Sequence, residues 1–204
     1  MKQNIKFGFG GLLIGALVVL LVVNIVSNSY SPGTGRMMGW SQNSDVMDAH
    51  FIEQMIPHHE DAIAMAKLAQ EKTQRSEVKE LAQNIIDSQS KEIVQMKAWY
   101  KEWFGRELPT GQAVMRQHGM MGNNGLHMGM MGNEMDLETL KKAADFDREF
   151  VSEMIPHHQM AVMMASMLKN GTTRSEMKEL AEDIINAQTG EIDLMRGWLR
   201  DWSK

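Results

Sequence analysis

Gln54-Met55-Ile56-Pro57-His58-His59 and Glu153-Met154-Ile155-Pro156-His157-His158 are two versions of one stretch, set 99 residues apart. Each puts a thioether, a proline and two adjacent imidazoles within five positions, and together they hold four of the chain's seven histidines. Around the first copy, Phe51, Met55, His58, Ala62, Met65 and Ala69 recur at three- and four-residue steps, which is the period of one helical face. Around the second copy, Phe150, Met154, His157, Ala161, Met164 and Leu168 do the same.

Each copy leads into a second helical pattern. Val78, Leu81, Ile85, Gln89, Glu92 or Ile93, Met96, Trp99 and Trp103 form one stripe. Leu180, Ile184, Gln188, Glu191, Met195, Trp198 and Trp202 match it without a gap. Ser44 is the expected cap of the first helix, with Asp45 and Asp48 in its first turn, and Ser76 the expected cap of the second. Asn170-Gly171 is the expected end of the third. A lone helix pair cannot easily bury its own stripe, whereas two pairs close into a bundle. The expectation is therefore all-α: a four-helix bundle over 44–204, made of repeat one (44–104), a linker (105–135) and repeat two (136–204).

The 204 residues carry a net charge of −5 with mixed signs, so no basic footprint for nucleic acid is present. Cysteine is absent, which excludes disulfides and thiolate metal sites, while methionine is over-used at 21 residues. Lys2 and Lys6 precede a run without charge from Phe7 to Val26. Twenty residues at about 1.5 Å each span about 30 Å, the thickness of bilayer hydrocarbon. No small-residue cleavage signature follows. Residues 1–27 are thus expected to be a membrane anchor, in preference to a cleaved signal, and the lysines favour an exported remainder, on the periplasmic or extracellular face. Residues 28–43, rich in Ser, Asn and Gly, read as a flexible tether.

Histidine and methionine carry the chemistry. His58 and His157 stand on the inward stripes, each flanked by inward Met55 and Met65 or Met154 and Met164; His59 and His158 are next in line. A buried imidazole needs partners for both ring nitrogens, and Glu92 and Glu191 are acids near enough to the stripe to supply one. The linker adds His118, Met120, Met121, His127, Met128, Met130 and Met131 among glycines that oppose helix and strand. Thioether is soft and suits Cu(I), with Ag(I) following it, and imidazole also suits copper. The Met-rich linker reads as a copper-collecting arm, or alternatively as a partner-binding linker.

Phe-Ile-x-x-Met-Ile-Pro-His-His, then Leu-Ala-x-x-Ile-Ile-x-x-Gln-x-x-Glu-Ile-x-x-Met-x-x-Trp, resembles the family catalogued as domain of unknown function 305, and both halves carry it. The resemblance implies a ferritin-like helical bundle. It also implies ligand roles for His58, His59, His157, His158, Met55 and Met154, with copper or silver bound in the periplasm or outside the cell. Ser152 in place of Glu53, and Met160 in place of Asp61, depart from symmetry, so the halves are expected to differ. No nucleophile–base set, phosphate loop or catalytic carboxylate pair is visible, so no enzyme activity is expected. The expected function is extracytoplasmic sequestration or transfer of Cu(I), with copper ions, the membrane and a copper-transport protein as partners. The alternative is a membrane-anchored interaction module.

Overall fold

The structure, a computed structural model, describes residues 41–109 and 137–203. The anchor run, the tether up to residue 40 and the Met-rich part of the linker lie outside the described residues. The described residues are helical: α1 (Ser41–Lys72), α2 (Ser76–Phe104), α3 (Leu137–Lys142), α4 (Phe146–Gly171) and α5 (Ser175–Asp201). None of these helices is long and apolar enough to cross a membrane.

α1 with α2, and α4 with α5, form hairpins across loops of identical design. Thr73 closes α1 by donating its N–H to the Ala69 carbonyl at 3.0 Å, and its hydroxyl accepts from the Arg75 N–H at 3.0 Å. Thr172 does the same with Leu168 (2.8 Å) and Arg174 (3.1 Å). The hairpins meet where α1 packs on α4.

The core has two layers, and each draws on all four long helices. Phe51, Ile52 and Met55 of α1 pack with Ile93 and Met96 of α2, Ala165 and Leu168 of α4, and Met177 and Ile184 of α5. Met65 and Ala69 pack with Val78 and Leu81, Phe150 and Met154, and Ile192 and Met195. The start of α1 thus shares a layer with the end of α4, and the reverse, so the two helices run antiparallel. Burying one such Met, Ile or Phe contributes about 1.5–3 kcal/mol.

Several expected details differ. α1 begins at Ser41, so Ser44 lies inside the helix; buried, it accepts the Thr173 N–H at 2.9 Å instead of capping α1. Asp45 and Asp48 fall beyond the first turn and serve Arg174. Ser76 is the first helical residue, and the cap position is Arg75, without a side-chain bond to the helix. Gly171 is the last residue of α4 rather than a left-handed cap; that conformation occurs at Gly105, where φ is 63°. Gly171 is small for another reason, since a side chain there would collide with the Met47 sulfur. Tyr100, rather than Trp99, is the buried aromatic of α2. The short α3, held by buried Leu140 in the second layer, was not foreseen.

Candidate metal centre

Pro57 and Pro156 sit inside α1 and α4, which continue through them. The histidine pairs follow at once, in the middle of both helices, where the hairpins touch. His58 and His157 meet there with ring centroids 3.7 Å apart and planes 37° apart. No nitrogen of His157, and not Nδ1 of His58, finds a hydrogen-bond partner, although these atoms are shut off from solvent. Burial, followed by the neighbouring His59 and His158 imidazoles, pushes His58 down to about 3. Burial, followed by His58 and the other two rings, pushes His157 down to about 2. Both rings are therefore neutral at pH 7, the state in which imidazole has a free lone pair.

His59 and His158 are fully buried and form a second, repeated arrangement. His59 Nε2 lies 2.6 Å from Glu92 Oε2, and His158 Nε2 lies 2.6 Å from Glu191 Oε2. In the neutral tautomer that this bond selects, Nε2–H donates to the carboxylate and Nδ1 carries the lone pair. Both Nδ1 atoms are buried and without partners. One turn earlier on α2 and α5, buried Gln89 and Gln188 each leave an unpartnered Oε1. Nearly all buried polar atoms in proteins have a partner. Here seven orphans lie at equivalent residues of the two halves, and six of them, the Nδ1 atoms of the four histidines and Oε1 of Gln89 and Gln188, recur atom for atom, with His157 Nε2 the seventh.

The methionines are shared out by symmetry. Met55 and the half-buried Met164 lie in the first core layer, Met65 and Met154 in the second. The histidine seam lies between the two sulfur pairs along the chain. Among the described residues, no three His, Asp or Glu side chains converge on a point that suits a metal ion. A metal at this seam would thus rely on imidazole together with thioether, a donor set that favours a soft cation over a hard one. The residue types present fit Cu(I) in that respect. His118, Met120, Met121, His127, Met128, Met130 and Met131 lie outside the described residues.

Periodicity picked out His58 and His157, and both stand where the hairpins meet. It ranked His59 and His158 lower, although these are the two that Glu92 and Glu191 hold. Gln89 and Gln188 were on the stripe but not marked as functional. Their recurrence at the repeat offset, one turn before each acid, was the available signal.

The two halves also clasp each other at the rims. Arg174 binds Asp45 (2.6 Å) and Asp48 (3.1 Å) of α1 and lies 4.4 Å over the Trp103 ring. Arg75 binds Asp147 of α4 (3.2 Å) and lies 4.2 Å over the Trp202 ring.

Comparison with known proteins gives the same architecture. The structure of CopM in the Cu(I)-bound form is 46% identical, with a TM-score of 0.65, over 77% of this chain and 98% of CopM. A DUF305 fragment from Deinococcus radiodurans is 30% identical, with a TM-score of 0.61, over 76% of this chain and 96% of the fragment. An uncharacterized protein of Acanthamoeba polyphaga mimivirus is 42% identical over 53 residues, which span 26% of this chain but only 35% of that protein. The sequence profile described as "Domain of unknown function (DUF305)" matches residues 48–199, and with three quarters of its length inside that match the chain belongs to the DUF305 family.

Proposed function

We propose that this protein takes up Cu(I), with Ag(I) as its mimic, and sequesters it or hands it on outside the cytoplasm, held to the membrane by residues 1–27. The observation that carries the reading is the repeated set of buried, unpartnered imidazole nitrogens, with buried Met55, Met65 and Met154 and half-buried Met164 on either side along the chain. CopM, known in Cu(I)-, Cu(II)- and Ag-bound forms, supports it at 45–46% identity. The four long helices are read as a ferritin-like four-helix bundle, and the protein as a binding protein, not an enzyme. His58, His59, His157, His158, Met55, Met65, Met154 and Met164 are the proposed bundle ligands. The segment from His118 to Met131 is the proposed collecting arm, and a copper-transport protein the proposed recipient.

A Cu(I) competition titration on the full chain in detergent tests this. Imidazole must be neutral to bind, and the burial that pushes His58 and His157 down to about 3 and about 2 keeps both rings neutral at the pH of the titration. Replacing His58 and His157 with Ala should remove the bundle sites. Replacing Met120, Met121, Met128, Met130 and Met131 with Leu should remove the sites of the arm and leave the bundle sites in place. Calcium binding as tight as Cu(I) binding, or no Cu(I) uptake at all, overturns the reading in favour of the interaction module.

A further inference from the structure

We propose a second soft-metal site, on the outer face of α4 and separate from the histidine seam, built from the thioethers of Met160, Met163 and Met167 with Met47 of α1. At 3.6 residues per turn the three α4 positions fall within about a quarter turn of one another, on the side away from the core. Met167 is 65% exposed and Met163 38% exposed, and Met160 is half-buried beside them. Gly171 continues the same face by one more turn, and the sulfur of Met47, itself 38% exposed, lies against it. Met47 thus closes the C-terminal end of the row. The row is open to solvent where the seam is shut from it.

Packing does not require sulfur here. The equivalent positions of the first repeat hold Asp61, Ala64 and Leu68, and the counterpart of Met47 is Phe146. The same helix in the same fold is built there without this row. Helix propensity would be served as well by Ala or Leu. What methionine adds is a flexible side chain ending in a soft, polarizable donor. Side chains three and four residues apart on a helix have Cβ atoms about 5–6 Å apart, which lets flexible thioethers converge on one ion. A monovalent soft cation, Cu(I) or Ag(I), is the ligand class that such a donor set takes. The proposal shares with the function above only the premise that the chain meets this ion.

The test is an Ag(I) titration of the full-length protein in detergent, with methionine ε-methyl groups labelled for NMR and assigned by single Leu substitutions. The expected result is that the methyl signals of Met47, Met160, Met163 and Met167 shift together and saturate at their own equivalence point. In the Met163→Leu/Met167→Leu variant the protein should take up one equivalent less, and the Met160 signal should stay at its metal-free position. Unmoved signals from Met163 and Met167, or a Met160 shift that persists in the double variant, overturn the proposal. The signals of Met55 and Met154 report the seam. If they shift while the outer row is silent, the proposed function stands and this site falls; the converse result retains this site and removes the seam. Unchanged core methyl signals in the variant confirm that it is folded.

Discussion

The guanidinium of Arg174, at the tip of the second hairpin, lies 4.4 Å over the Trp103 ring at the end of the first. Arg75 lies 4.2 Å over Trp202 in the reverse sense. The two clasps are alike in geometry but not in setting. Arg174 serves Asp48, whose side chain has no exposure, whereas Arg75 is 41% exposed and serves Asp147 at 14%. Burial raises the Asp48 pKa, while hydrogen bonds from Thr172 and Arg174 and the Arg174 charge lower it. Breaking a buried pair strands a charge at about 3–5 kcal/mol, while a more exposed one contributes about 1 kcal/mol or less. Arg174→Ala should therefore cost about 3 kcal/mol and Arg75→Ala about 1 kcal/mol. Urea unfolding of the metal-free protein followed by circular dichroism measures both, and equal losses would refute the asymmetry.

Acid should destabilise the metal-free protein earlier than carboxylate titration alone predicts. His58 and His157 are pushed down to about 3 and about 2 in the fold, against about 6.5 in the unfolded chain. Between these values the unfolded chain binds more protons, so the stabilising contribution is whole above about pH 6.5 and is lost as pH falls. Each ring contributes a slope of about 1.4 kcal/mol per pH unit, and the pair should cost a few kcal/mol by about pH 5. The His58→Ala/His157→Ala variant should show a flatter profile of unfolding free energy from about pH 7 to about pH 5. An unchanged slope would show that the rings do not carry the effect.

Glu92 and Glu191 should matter for metal more than for folding. Each holds its histidine by Nε2 and leaves Nδ1 as the free donor. Losing a carboxylate behind a ligating imidazole typically costs about 10–100-fold in metal affinity. Glu92→Gln with Glu191→Gln keeps the shape and an acceptor oxygen, so a loss of that size in Cu(I) competition is expected with unfolding midpoints little changed. Unaltered affinity would remove His59 and His158 from the ligand set.

The first repeat alone carries a buried Glu53, which accepts a hydrogen bond from the Tyr100 hydroxyl and has Arg106 at 3.6 Å. Burial, reinforced by the Glu53 hydrogen bond and charge, pushes Tyr100 up to about 12. Tyrosinate absorbance of Tyr100 should therefore appear in an upper step, near about pH 12. Tyr100→Phe should destabilise by about 1–3 kcal/mol, since Glu53 loses a donor in the core. The Tyr30→Phe variant isolates the upper step, and its appearance near about pH 10 would contradict the burial argument.

Much of this was readable from spacing alone. Phe51, Met55, Ala62, Met65 and Ala69 are all buried as the stripe requires, and the all-helical fold follows from the same period. Period could not separate His58 from His59, because neighbours about 100° apart both fit a wide inward face at a helix crossing. Nor could it reveal that the rings of His58 and His157 meet, since that depends on how two helices cross. Ser44 and Ser76 misled for a related reason: a hydroxyl suits a cap, yet distant Thr173 claimed the first, and Thr73 turned the chain before the second. Spacing gave no sign of the roles of Arg75 and Arg174, because their partners lie in the other half of the sequence.

Because every clasp runs from one half to the other, the chain is in effect a symmetric dimer whose subunits have been tied end to end. A true homodimer must change both copies of any surface at once. The tie lifts that constraint. The first half carries the Glu53–Tyr100–Arg106 group, whose counterparts in the second half include Ser152 and Leu199, while the second half carries a row of sulfur where the first has Asp61, Ala64 and Leu68. Joining the halves keeps the histidine seam common to both while positions inside the bundle, such as Glu53 and Tyr100, and outside it, such as Met163 and Met167, differ between them.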